Sequence, residues 1–398
     1  MNRTGWTSIL GAGVLVAVLG LTGCERPPVE IEQIGFRGTG TQNPENPRLR
    51  ERERPRHTAP AVSAPAPDVG PRAGDVYENV HVLGHLSIPE FQRTMRAMTE
   101  WVSPEQGCNY CHVPGNFADE NIYTKAVSRR MLEMTRHINA QWQAHVADTG
   151  VTCYTCHRGQ NVPAEQWFHE SDPTPLMAGV GNRMYQNKPT AGVAYSSLPR
   201  NAMAAYLEGD AEIRFQAGDA LPTDHVASIQ HGETTYSLMM HMSDALGASC
   251  QVCHNSRAFW SWEQSPPQRT TAWHGVRMVR EANNAFINPI TSVFPEHRLG
   301  PMGDAGKINC ATCHQGVQLP LYGAQMAQGY ARGMIGGADD NLLERRWPLP
   351  GEEPVRAVSD DVEADVEAEA GDAPDDDEDG DADALVSLLT ERVRAYLD

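Results

Sequence analysis

The chain has 398 residues, 51 of them acidic against 32 basic, for a formal net charge of −19, and 40% are hydrophobic. That balance leaves no basic surface for nucleic acid, and the length allows two or three ordinary domains. The charge is also unevenly spread: residues 351–383 hold sixteen acidic side chains and one arginine, a net of −15, so the remainder is only mildly acidic.

In chain order, residues 1–23 open with Arg3, continue as an apolar run from Ile9 to Leu21 and end in Leu21-Thr22-Gly23-Cys24. A short apolar stretch closed by small residues is an export signal and not a folded helix. The Leu-Thr-Gly-Cys sequence looks like a bacterial lipobox, with Cys24 as the lipid-bearing mature N-terminus; the alternative is an uncleaved anchor. Both readings put the body of the protein outside the cytoplasmic membrane. Residues 24–74 are rich in Pro, Arg, Glu and Gly without apolar periodicity, and read as a tether or an extended strap.

The core is expected over 75–347. Ser87-Ile88-Pro89-Glu90 has the form of a capping box. Phe91, Met95, Met98 and Val102 follow on one helical face, and Ser103-Pro104 stops the helix. A second helix is expected over 124–148, with Met131, Met134, Ile138, Trp142 and His145 along one face. A third is expected over 224–246 and a fourth over 273–286, where Arg277-Met278-Val279 matches Arg130-Met131-Leu132 of the second. Strand signals are weak. The fold class is therefore mainly α with long loops and little strand. Beyond the core, 348–398 reads as an acidic disordered tail ending in a short amphipathic helix at 385–397.

Each of these helices precedes one copy of Cys-x-x-Cys-His. The copies are Cys108-Cys111-His112, Cys153-Cys156-His157, Cys250-Cys253-His254 and Cys310-Cys313-His314, and they use eight of the nine cysteines. This is the c-type haem attachment spacing, of which on the order of 0.01 copies would arise by chance in such a chain. Two thiols add to the porphyrin vinyl groups, and the following imidazole becomes the proximal iron ligand. Zinc would pair Cys-x-x-Cys units with one another, whereas here each has its own His. Four covalently bound haem c groups are expected, in two pseudo-repeated halves of two, and no thiols remain for disulfides.

Each iron needs a distal partner on the preceding helix. Met95, Met131 and Met239 lie 17, 26 and 15 residues before the motif histidines that follow them. Spacing alone does not separate Met95 from Met98, Met131 from Met134, or Met239 from Met240 and Met242.

The run Val82-Leu83-Gly84-His85-Leu86, then Phe91-x-Arg-Thr-Met95, then Met98-Thr99-Glu100-Trp101-Val102-Ser103-Pro104-Glu105-Gln106-Gly107 into the first motif resembles the tetrahaem cytochrome subunit of purple-bacterial photosynthetic reaction centres. Gly150-Val151-Thr152 before the second motif, Trp273-His274-Gly275, and Asn309 with Gln315-Gly316 around the fourth are similar to later parts of that family. The resemblance covers about 75–336 and the lipobox.

It implies Met95 opposite His112, Met131 opposite His157, Met239 opposite His254 and, for the fourth haem, His145 opposite His314. On one continuous helix His145 would lie about 21 Å beyond Met131. The internal repeat offers Met278 as the rival to His145. His137, His231, His241, His274 and His297 have no such support, while Arg269 and Arg277 are placed near the third motif to pair with haem propionates.

The resemblance further implies a lipid-anchored electron carrier, not an enzyme, on the periplasmic face of the photosynthetic membrane. A soluble cytochrome c or a high-potential iron–sulfur protein would reduce it. It would in turn reduce the photo-oxidised bacteriochlorophyll pair on the L and M subunits. Three Met/His sites and one bis-His site should divide the set into three higher potentials and one lower. The competing classes are a multihaem reductase, which needs an open iron, and a respiratory conduit, which favours bis-His sites.

Overall fold

The computed structural model describes residues 28–34, 41–171, 190–214 and 229–336. Cys24, the export signal and the acidic tail lie outside the described residues, as do 215–228, where the sequence places the start of the third helix.

The described strands are β1 (Glu30–Gln33) and β2 (Gln42–Glu45), an antiparallel pair. The rest is helical, beginning with α1 (Pro47–Glu53). The main scaffold is α2 (Ile88–Val102), α3 (Tyr123–Gln141) and the single turn α4 (Gln143–Val146). α5 (Cys153–His157), α6 (Ala202–Leu207), α7 (Ile229–Leu246), α8 (Gln268–Ala282) and α9 (Cys310–His314) follow. The short turns α10 (Met326–Gly329) and α11 (Ala331–Met334) come last. No described helix is long and apolar enough to cross a membrane.

α2 begins at Ser87 as expected, but no capping box forms. The Ser87 hydroxyl donates to the Pro67 carbonyl at 2.9 Å, and the Glu90 carboxylate accepts from the Ala66 N–H at 3.0 Å. Both caps have been drawn away by the segment that precedes the core. Pro89 still fixes the first turn, and Ser103, with φ −147° and ψ 60°, ends the last.

That preceding segment, from Thr41 to Arg72, lies against the core. His57 is buried against the Tyr322 ring at 5.3 Å, and Arg93 donates to Ser63 O at 2.6 Å. Ser249, just before the third motif, donates to Asn43 Oδ1 and Gln42 O at 3.1 and 2.9 Å. Its composition supplies few apolar side chains, so backbone carbonyls and amides satisfied by core side chains hold it in place.

The expected 124–148 helix breaks at Trp142 (φ −110°, ψ 34°), which caps both α3 and α4. The Trp142 indole donates to the Glu281 carboxylate on α8, which also meets His137 Nε2 at 3.2 Å. His145 therefore lies on α4, and the spacing along one straight axis does not apply.

Two apolar clusters form the core. One gathers Leu83, Leu86, Trp101, Leu132, Tyr330 and Met334 around α2. The other gathers Ile138, Met203, Tyr206, Leu238, Met278 and Phe286 around α7 and α8. α3 contributes to both, with Leu132 in the first and Met134 and Ile138 in the second.

Candidate haem-binding sites

The four motifs adopt two local forms in alternation. The first and third lie on 3-10 turns, Gly107–Tyr110 and Cys250–Val252. In each, histidine Nδ1 meets a phenylalanine carbonyl five residues on: His112 to Phe117 O and His254 to Phe259 O, both at 3.1 Å. The same phenylalanine ring packs on the imidazole, at 5.0 and 5.3 Å between centroids.

The second and fourth motifs are the short helices α5 and α9, and both open with the third helical residue's hydroxyl accepting from the N–H that precedes the helix; in α9 the capping box is completed by Asn309 Oδ1, which accepts from the Thr312 N–H at 3.1 Å. The Thr152 N–H donates to Thr155 Oγ1 at 2.9 Å, and the Asn309 N–H to Thr312 Oγ1 at 3.0 Å. Both end in a left-handed residue, Arg158 or Gln315, each with φ 52° and ψ 38°. Histidine Nδ1 then meets a carbonyl three residues on, His157 to Gln160 O at 2.9 Å and His314 to Val317 O at 3.0 Å.

A carbonyl only accepts, so the proton in all four rings sits on Nδ1 and the Nε2 lone pair is left free for a metal. Burial also lowers the pKa of each of these imidazoles, that of His314 to about 4, which keeps them neutral. Burial pushes the Cys153 and Cys310 thiols up to about 12 and Cys253 to about 11. Among the described residues, all eight motif thiols are free. The Cys156 and Cys313 sulfurs are 2.6 Å apart, so the second and fourth motifs lie back to back without the ~2.05 Å bond of a disulfide.

The supporting contacts repeat in the same order. The Gly159 N–H donates to Trp101 O at 2.9 Å, and the Gly316 N–H to Ala245 O at 2.8 Å. Trp101 and Ala245 each lie six residues after a candidate methionine, Met95 and Met239. Asn139 on α3 clamps the backbone of Val151, donating to its carbonyl at 2.8 Å and accepting from its N–H at 2.7 Å. Asn283, just after α8, clamps Ile308 in the same way at 3.0 and 2.9 Å.

This correspondence changes the alignment suggested by the Arg-Met pairs. Eight residues before Asn139 is Met131; eight before Asn283 is Gly275, not Met278. Met278 is buried in the apolar cluster around α7 and α8. The space that a side chain at 275 would take is occupied by His145: a Cβ on Gly275 would lie 2.5 Å from its Cε1 and 2.8 Å from its Nδ1. His145 Nδ1 meets Thr271 O at 2.9 Å, which frees Nε2, and the ring lies 6.0 Å from that of His314 between centroids. Two imidazoles bonded to one metal from opposite sides have about this separation, given metal–nitrogen bonds of about 2 Å.

Met95, Met131 and Met239 are all half-buried at the edges of the two clusters, whereas Met134 is buried within one. Thr99 Oγ1 donates to Met95 O at 2.9 Å and lies 4.0 Å from Cys108 Sγ, which sets the Met95 turn beside the first motif. Thr135 repeats the bond on Met131 O at 2.9 Å. Met98, Met240 and Met242 are half-buried as well.

Of the other histidines, His137 meets Glu281, His231 meets Glu212 O at 2.6 Å, His241 is buried with Nδ1 on Gly192 O at 2.9 Å, and His274 packs on Trp273. His297 lies on a short 3-10 turn. Arg269 and Arg277 stack over Trp262 and Trp273 at 4.1 and 4.4 Å. Sequence reasoning missed Gly275, Thr271 and the two clamping asparagines. Only the Trp273-His274-Gly275 run pointed near them.

The donor set suits an iron porphyrin: paired thiols, a neutral imidazole oriented by its backbone bond, and a glycine-lined gap holding a second imidazole. The family described as the photosynthetic reaction centre cytochrome C subunit matches residues 25–333. The photosynthetic reaction center cytochrome c subunit of Rubrivivax gelatinosus is 52% identical over 324 residues, covering 81% of this chain and 88% of that protein. The corresponding subunits of Thermochromatium tepidum and Roseobacter denitrificans are 50% and 42% identical, again over 81% of this chain and over 79% and 92% of their own lengths. The chain belongs to the photosynthetic reaction-centre cytochrome c subunit family, and is an electron carrier with covalently bound haem c and not an enzyme.

Proposed function

We propose that this chain carries electrons from a soluble periplasmic donor, a small cytochrome c or a high-potential iron–sulfur protein, to the photo-oxidised bacteriochlorophyll pair held by the L and M subunits. It does so with four haems arranged as two halves of two, anchored to the membrane through lipid on Cys24. The Leu21-Thr22-Gly23-Cys24 sequence after a short apolar run supports the anchor reading.

Haem c, when bound, supplies a one-electron iron couple whose potential follows its axial ligands. Cys108 and Cys111, Cys153 and Cys156, Cys250 and Cys253, and Cys310 and Cys313 form the attachments. His112, His157, His254 and His314 are the proximal ligands. Met95, Met131 and Met239 are the distal partners of the first three, and His145 is that of the fourth. The observation that carries the reading is the common Nδ1-to-carbonyl bond of all four motif histidines, which turns every Nε2 into a ligand. The His145 and His314 rings, 6.0 Å apart between centroids with their planes inclined at 65°, support His145 over Met278.

Stepwise redox titration of the purified protein tests the assignment. Four one-electron waves are expected, one lower than the rest, and Met239→His should lower one of the upper three. An unchanged titration would remove Met239 as a ligand.

A further inference from the structure

Lys125, the third residue of α3, is 8% exposed, and its contacts form a cage. Its ammonium donates to the carbonyls of Phe117, Ala118 and Asp119 at 2.9, 2.8 and 2.9 Å, with the Glu120 carboxylate at 3.4 Å. The Phe117 carbonyl is also the acceptor for His112 Nδ1 at 3.1 Å. A single oxygen therefore links a buried cation to the proximal imidazole of the first motif.

Two effects of that link have the same sign. A carbonyl already bonded to an ammonium is a weaker acceptor for the imidazole N–H, so His112 keeps less imidazolate character and donates less strongly to ferric iron. The positive charge also disfavours the extra charge of the ferric state directly, with little solvent to screen it. The nearby acids are already engaged. Glu120 is held by Arg129 at 2.7 Å and by Asn79, and the Asp119 carboxylate accepts from the Asn121 N–H at 2.7 Å. Burial lowers the lysine's own pKa from its ordinary value while Glu120 raises it, so the neighbouring acid works to keep the proton on.

We propose that Lys125 acts through the Phe117 carbonyl to raise the reduction potential of the haem held by His112. It is a positioning and tuning residue, not a ligand. The proposal rests on the reading of His112 as an iron ligand.

Redox titration of the full-length holoprotein tests it, with Met95→His marking which wave belongs to the first motif. In Lys125→Met, the potential of that wave should fall by ~59 mV for one electron, a rise of about tenfold in the ferric-to-ferrous ratio at fixed potential. The other three should stay in place, including that of the third motif with its matching His254-to-Phe259 bond. Lys125→Gln, a donor without charge, should fall likewise, and Lys125→Arg should titrate like the parent. Superimposable titrations of parent and Lys125→Met would overturn the proposal. So would a fall in Lys125→Arg equal to that in Lys125→Met, which would mean disrupted packing and not lost charge. A parent protein without four covalent haems would instead overturn the ligand reading beneath it.

Discussion

At residue 275 a methyl group is enough to displace the imidazole of His145, which occupies the place where a side chain would go. Ala at this position should push the ring off its Thr271 bond and away from His314, which under the proposed assignment would leave one of the four irons open on its distal side. The expected result is a high-spin signal and carbon monoxide binding at one haem per protein, together with loss of the lowest-potential wave. A fully low-spin spectrum with no gas binding would contradict the placement of His145. The sequence made the motif histidines and cysteines legible because attachment chemistry demands fixed letters at fixed spacing. Gly275 was not legible, since its role depends on a side chain 130 residues away in sequence, and the local Arg-Met match pointed to Met278 instead.

Among the helices, the informative departures come from contacts between elements. α3 ends at Trp142, where its indole and His137 both meet Glu281 on α8. The hydrogen bond from His137, then that from Trp142, holds the Glu281 carboxyl below its ordinary value of 4.5 against an opposing burial effect. A carboxylate depressed in the folded state contributes stability that is present above its unfolded pKa and lost as the pH falls through the folded one. Melting temperature should therefore drop as the pH falls below the ordinary carboxyl value of 4.5 and on through the depressed one, partly through this group, and Glu281→Gln should flatten that slope. An unaltered pH profile in Glu281→Gln would rule out the contribution.

A second junction joins α2 to the segment before it and to the C-terminal turns. Arg93 and Glu90 are both buried and paired at 2.6 Å, and Arg93 also donates to Ser63 O and Gly329 O at 2.6 and 2.7 Å. Removing one partner from a buried pair leaves an uncompensated charge, so Arg93→Met should cost about 3–5 kcal/mol in denaturant unfolding. Replacing both partners should cost less than the single change, and an equal or larger loss would contradict a paired role. The helix over 88–102 was legible from its apolar spacing and from Pro89. Its cap was not, because Ser87 and Glu90 are bonded to a segment whose composition suggested no fold at all.

Among the described residues two motif forms alternate, and the second and fourth motifs each carry a glycine contact and an asparagine clamp, a recurrence that the proposed plan of two halves would produce. The arrangement brings the second and fourth motifs back to back and sets α4 against the fourth motif. Oriented imidazoles, neutral by burial, and half-buried thioethers suit a chain whose task is to hold several iron couples without opening any to substrate. The most direct measurement is flash photolysis of isolated photosynthetic membranes, following cytochrome absorbance alongside the bacteriochlorophyll cation. Oxidation of this cytochrome should keep pace with the disappearance of the cation, and persistence of the cation while the cytochrome stays reduced would contradict the account.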